Sequence, residues 1–129
     1  MTLRLFTARM GIRDPDYLDI TRTGNERRGE PGGHRGIGMA FAPSGSILWP
    51  AKRGELTDAQ YRVLYTAEMR DSYRRNRAAW DTLLGWERVA LLCFCHERER
   101  CHRGILAGIL ARLGAYDGGE IVAERTGGG

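Results

Sequence analysis

The segment Val89–Cys95 (VALLCFC) limits the fold more than any other part of this chain. It is apolar throughout, too short for a buried helix, and it does not alternate. A strand with that pattern is covered on both faces, as in the parallel sheet of an α/β protein. A polar HERER turn follows. Then Cys101–Leu113 places Ile105, Leu106, Ile109, Leu110 and Leu113 in one helical stripe, and Gly114 ends it. The core unit is therefore strand, polar loop, amphipathic helix.

The flanking sequence extends this pattern. Leu3–Arg9 reads as a strand with Leu3, Leu5 and Thr7 on one face, and Tyr17–Arg22 as a second short strand. Thr23–Gly45 has seven glycines, Arg27, Arg28 and Arg35, and no apolar period, so it reads as a long loop, a functional or mobile one. Phe41 and Ser46–Pro50 return to apolar character. Thr57-Asp58-Ala59-Gln60 fits a capping box that opens a helical region running to Leu84, as two helices or one bent helix. Glu120–Glu124 reads as a last strand. The order β-β-loop-α-β-α-β predicts an α/β fold, a small, largely parallel sheet flanked by helices, Rossmann-like. A chain of 129 residues is one domain's worth, here residues 1–126 with a flexible tail at 127–129.

Composition excludes several classes. No apolar run approaches a bilayer span, so no membrane partner is expected, and MTLRLFTARM has no signal-peptide pattern. Three cysteines, all between Cys93 and Cys101, leave no framework of disulfides and suggest a reducing, cytoplasmic compartment. The net charge is +4, and every basic residue except Lys52 is Arg. A GC-rich coding bias accounts for that, so the basic pI is weak support for a nucleic-acid partner. The arginines matter by position, since a guanidinium suits carboxylate and phosphate.

In parallel sheets ligands bind beyond the carboxyl ends of the strands. That rule selects the end of YLDITR, with Asp19 and Arg22, and the end of VALLCFC, with Cys93, Cys95, His96, Cys101, His102 and Arg103. Several readings compete for the second cluster. Zinc has enough Cys and His ligands here, but Cys93 and Cys95 share a strand and the adjacent Cys101 and His102 diverge on a helix, unlike two separated ligand pairs. A phosphatase-type loop needs Cys, five residues, then Arg, and neither Cys93 nor Cys95 has Arg in that register. A helix N-terminus near Cys101 offers free N–H groups for an anion and lowers a thiol's pKa there. Positive charge at a helix start is unfavourable, so Arg103 calls for another use or for a carboxylate such as Asp19 or Glu97. The plainer reading has the cysteines as small buried hydrophobes, His102 bonded to backbone and Arg103 in a buried ion pair.

The stretch LLCFCHERERCHRGILAGIL resembles the signature of the "domain of unknown function 488" family: Leu-Leu-Cys, an acidic-polar stretch, Cys-His-Arg, and an apolar helix. Cys93, Cys101, His102 and Arg103 match it residue by residue. The family often has Glu two residues after its first Cys, where this chain has Cys95. Its Asp-x-Arg motif is approximated by Asp19-Ile-Thr-Arg22, with one extra residue. The resemblance implies a small α/β fold and names no reaction.

Two classes of function follow. The first is a small enzyme on a nucleotide or other phosphorylated substrate, with Cys93 or Cys101 as thiolate, His102 as acid/base and Arg103 as anion clamp. Asp19, Arg22, Tyr65 and Tyr73 are its candidate substrate contacts, although the tyrosine stripe Tyr61, Tyr65, Tyr73 also suits core packing. The second is a binding protein that sequesters a nucleotide-like anion without chemistry, as a regulator of a host pathway. Nucleic acid along the Arg70–Arg77 face is a further alternative. No cofactor is identified, zinc through Cys93, Cys95 and Cys101 being the weaker option, and the oligomeric state is not legible.

Overall fold

The computed structural model describes residues 2–28, 36–95 and 97–122. His96, the middle of the Gly/Arg-rich segment including Arg35, and the tail expected at 127–129 lie outside them.

Four strands form one parallel sheet in the order β2-β3-β1-β4: β1 Arg4–Arg9, β2 Tyr17–Asp19, β3 Arg88–Cys93 and β4 Tyr116–Ile121. In β3, Val89 to Cys93 are all buried, as expected for a strand covered on both faces. The expected α/β class is therefore present. Helix α5, His102–Arg112, follows β3 and packs against β1, β3, β4 and the long helix α3, Asp58–Arg75. Its buried side is His102, Arg103, Ile105, Leu106, Ala107 and Leu110. Leu113, assigned to the apolar stripe, is exposed.

The expected capping box is present: Gln60 N–H donates to Thr57 Oγ1 at 3.0 Å, and Thr57 N–H to Gln60 Oε1 at 2.8 Å. The helical region is two helices, α3 and α4 (Arg77–Leu84), broken at Asn76. Ser72 Oγ sits at the break. It donates to the Ala40 carbonyl at 2.6 Å and accepts from Trp80 Nε1 at 3.1 Å and Asn76 Nδ2 at 3.2 Å.

Three expectations shift. The strand predicted over Tyr17–Arg22 stops at Asp19, because the Asp19 carboxylate accepts both the Thr21 N–H (2.8 Å) and the Thr21 hydroxyl (2.6 Å). Thr21 Oγ1 in turn accepts the Gly24 N–H at 3.0 Å, and the chain winds into α1, Arg22–Arg28. The predicted loop thus begins as a helix, and it ends in a 3-10 turn at Gly38–Phe41 and in α2, Gly45–Lys52. The last strand starts earlier than Glu120, since pairing with β1 recruits the turn-like Tyr-Asp-Gly-Gly sequence to a sheet edge. Gly118 fits there because a Cβ would stand 2.3 Å from the Phe6 ring.

Tyr65 is fully buried, and its hydroxyl donates to the Phe41 carbonyl at 2.7 Å, fastening the 3-10 turn to α3. Tyr65→Phe is expected to lower stability by about 1–3 kcal/mol, because a buried carbonyl loses its donor. Urea denaturation checks this.

Candidate functional site

The carboxyl ends of β2, β3 and β1 bring Asp19, Cys93 and Arg9 to one edge of the sheet, with Arg9 opposite Cys93 in register. A short 3-10 turn, Arg98–Arg100, leads the chain back so that Cys101 caps α5 beside the end of β3. Gly104 permits that approach, since a Cβ there would lie 2.3 Å from the Arg98 carbonyl oxygen.

This return joins two of the cysteines: Cys93 and Cys101 form a disulfide. The odd cysteine count excludes a framework of pairs, yet one pair closes because strand end and helix cap meet. Cys95 keeps a free thiol, and the three sulfur atoms all lie within 4.8 Å of one another. Two premises used against zinc do not hold in the fold. β3 ends at Cys93, so Cys95 is not on the strand, and Cys101 is an extended cap residue (φ −109°, ψ 150°) rather than a helical neighbour of His102.

His102 is buried, and its Nε2 donates to the Ile20 carbonyl at 2.8 Å. A carbonyl can only accept, so the bare nitrogen is Nδ1, which lies 3.7 Å from Cys101 Sγ. Burial pushes the His102 pKa down to about 4 against the help of the Ile20 bond, and the Arg103 charge pushes the same way. The imidazole is therefore neutral at pH 7.

Arg103 is fully buried and holds four elements together. Nε and Nη2 make a two-pronged ion pair with Glu120 on β4, at 3.0 and 2.7 Å. Nη1 donates to the Cys95 carbonyl at 2.9 Å and to Cys93 Sγ at 3.2 Å. Thr7 on β1 donates its hydroxyl to the same Glu120 carboxylate at 2.6 Å. Burial raises the Glu120 pKa, but the bonds from Arg103 and Thr7, with the charges of Arg103 and Arg98, outweigh it and hold the carboxyl below its ordinary value of 4.5. Asp19 or Glu97 was expected as the carboxylate beside the cluster; Glu120 fills that place.

A cleft of about 190 Å³ opens over this edge, between the ends of β2 and β3 and the α2–α3 corner. Leu48, Leu56, Tyr61 and Phe94 give it an apolar floor, Cys95 and His102 line one wall, and Arg22, Lys52 and Arg100 stand around it. The cations are lightly committed. Arg22 pairs with Glu26, and Arg100 with Glu97 and Asp58, all between partly or well exposed groups, while Lys52 rests over the Trp49 ring. Such screened pairs exchange readily for another anion. Cys95 is exposed, yet protein packed on one side desolvates its thiolate and pushes its pKa up, with Arg103 and Lys52 opposing.

The structure thus brings Cys93, Cys101, His102 and Arg103 together as one cluster, with Arg22 and His102 reaching the cleft. Asp19 is buried and turned into the β2–α1 corner. A Cβ on Gly24 would stand 2.2 Å from Asp19 Oδ2, so that corner requires glycine. Tyr65 is in the core, where its ring meets His102 edge-on at 5.4 Å. Tyr73 lines a separate depression with Trp80 and Arg70. On the Arg70–Arg77 face, Arg75 pairs with Asp71, and Arg77 pairs with Asp81 and stacks on Tyr73. Glu120, Lys52, Tyr61 and Phe94 also belong to the site or its cleft, and no sequence motif marks them as such. Glu120 lies 17 residues from Arg103, and no local motif links the two.

A family model described as "Active DUF488-N3 subclade" matches residues 16–114. The chain belongs to the DUF488 family. The match spans β2 through α5 and so includes the Cys93–Arg103 cluster and the cleft walls, while β1 and Glu120 fall outside it. No curated protein and no solved structure matches the chain.

Two measurements test the cluster. Glu120→Ala strands a buried guanidinium and should cost on the order of 3 kcal/mol by denaturant titration. The depressed His102 pKa means that the unfolded chain binds a proton first as pH falls. Stability should be intact above pH 6.5 and decline towards about pH 4, by on the order of 3 kcal/mol. His102→Gln should flatten that slope.

Proposed function

We propose that this protein is a thiol-dependent enzyme whose cleft takes a nucleotide or a similarly phosphorylated small molecule. The observation that carries this reading is the composition of the cleft: an apolar floor with the exposed Phe94 ring and Tyr61, three exchangeable cations, and sulfur and imidazole in one wall. An aromatic floor accepts a flat base, and Arg22, Lys52 and Arg100 suit a phosphate. The volume is below the roughly 300 Å³ of an ordinary ligand cleft, which favours a single base-sized group inside with its phosphate at the rim.

In this reading the reduced cysteines carry the chemistry. Cys101 caps an 11-residue helix, whose positive end stabilises a thiolate, and His102 Nδ1 lies 3.7 Å from its sulfur. Cys101 is buried, so the thiol that meets a substrate in the cleft is Cys95, whose sulfur lies within 4.8 Å of it. Arg103 donates to Cys93 Sγ, so it serves a sulfur, and the anion-binding role passes to the cleft cations. The family description "Active" agrees with an enzyme. The Cys93–Cys101 bond favours a second reading, a nucleotide-binding protein without chemistry, because the joined sulfurs offer no thiolate.

Thermal-shift and calorimetric titration of the reduced protein against nucleoside mono-, di- and triphosphates tests both. A true ligand at 100 times its dissociation constant adds about 2.7 kcal/mol of stability. Lys52→Ala and Phe94→Ala should each weaken binding by about tenfold, or 1.4 kcal/mol. Cys95→Ser and Cys101→Ser should each keep binding and lose turnover; full turnover in both overturns the thiol role, and binding without turnover by the reduced protein leaves the binding reading. No shift with any phosphorylated compound overturns both.

A further inference from the structure

The Cys93–Cys101 disulfide is closed off, since both residues are fully buried. A soluble thiol cannot reach it directly. Yet a third sulfur, Cys95, lies within 4.8 Å of both bonded sulfurs, and this one is exposed and lines the cleft. We propose that Cys95 gives the protein a thiol–disulfide exchange activity, relaying the buried Cys93–Cys101 disulfide to the cleft, where a small soluble thiol reduces it. The proposal stands on the sulfur geometry and holds whichever ligand the cleft takes.

The direction of exchange follows from what surrounds each sulfur. The Cys95 thiol loses its proton to water, and its sulfur attacks Cys101 Sγ. The Cys95–Cys101 bond forms, the Cys93–Cys101 bond breaks, and Cys93 leaves with the electron pair. Cys93 is the sulfur already receiving an N–H from the Arg103 guanidinium, at 3.2 Å, so it is the better leaving thiolate. Attack on Cys93 instead would link two cysteines separated only by Phe94, a cramped ring. No electrons are gained or lost in this step. A small thiol then attacks Cys95 Sγ from the cleft, forming a mixed disulfide on Cys95 and releasing Cys101. A second molecule of the thiol attacks the mixed disulfide. It leaves as the small-molecule disulfide, and Cys95 returns as a thiol. Two small thiols are oxidised, one protein disulfide is reduced, and the thiol protons pass through solvent to the protein sulfurs.

The experiment uses the full chain, oxidised and then exposed to glutathione, with acid quenching, differential alkylation and peptide mass spectrometry. The expected result is a transient glutathione adduct on Cys95 and at least a tenfold slower loss of the Cys93–Cys101 disulfide in both Cys95→Ser and Cys95→Ala. Cys93→Ser, oxidised alone, should trap Cys95–Cys101. Reduction of the Cys95 variants at the wild-type rate overturns the relay. So does a wild-type adduct found only on Cys93 or Cys101, or an oxidised protein that retains three free thiols or holds a metal ion on them.

Discussion

Arg103 and Glu120 form the contact on which the site depends. A guanidinium with no solvent exposure is tolerable only when its charge and its N–H groups are satisfied. Here a carboxylate from β4 takes two of them, and two more go to the Cys93 sulfur at the end of β3 and to the Cys95 carbonyl just beyond it. Thr7 adds β1 to the same carboxylate. The first turn of α5 is thereby tied to three strands of the sheet. That fixes Cys101 and His102, the two residues before Arg103, against the ends of β2 and β3. A cation near a helix start is unfavourable by itself; a bidentate buried partner reverses the balance.

From that anchor the cluster separates into layers. Arg103 and the disulfide lie behind, buried. His102 stands between, its tautomer set by the Ile20 carbonyl and its charge removed by burial. Cys95 and the rim cations face the cleft. The sulfur with the most favourable electrostatic surroundings is thus not the sulfur that solvent meets. Any thiol chemistry at this edge has to connect the two, and the short distances among the three sulfurs supply the connection.

Much of the architecture was legible in the sequence because periodicity reports burial. Val89–Cys93 is the doubly covered strand its pattern predicts, although Phe94 and Cys95 fall beyond its end and are exposed, and the Thr57–Gln60 box began α3 where expected. The cysteines, His102 and Arg103 were legible as a site because strand ends collect ligands in parallel sheets and because a family pattern runs through them. The misses share one cause. The stop of β2 at Asp19, the early start of β4 and the winding of α1 are decided by hydrogen bonds between a side chain and a turn, or by an edge pairing, which leave no apolar period. The tyrosine stripe was correctly periodic, but period alone does not say which member faces a cavity: Tyr61 does, and Tyr65 does not.

By itself, then, the sequence determined the fold class, the helix and strand inventory around β3, and the residue types available for chemistry, since these follow from local pattern and composition. The tertiary structure decided which groups meet. It gave Arg103 a carboxylate on β4, joined Cys93 to Cys101, left Cys95 exposed, and brought Lys52 from α2 to a cleft beside Phe94. These pairings join segments distant along the chain. Their energies depend on burial and geometry at the meeting point, and neither is encoded within any single segment.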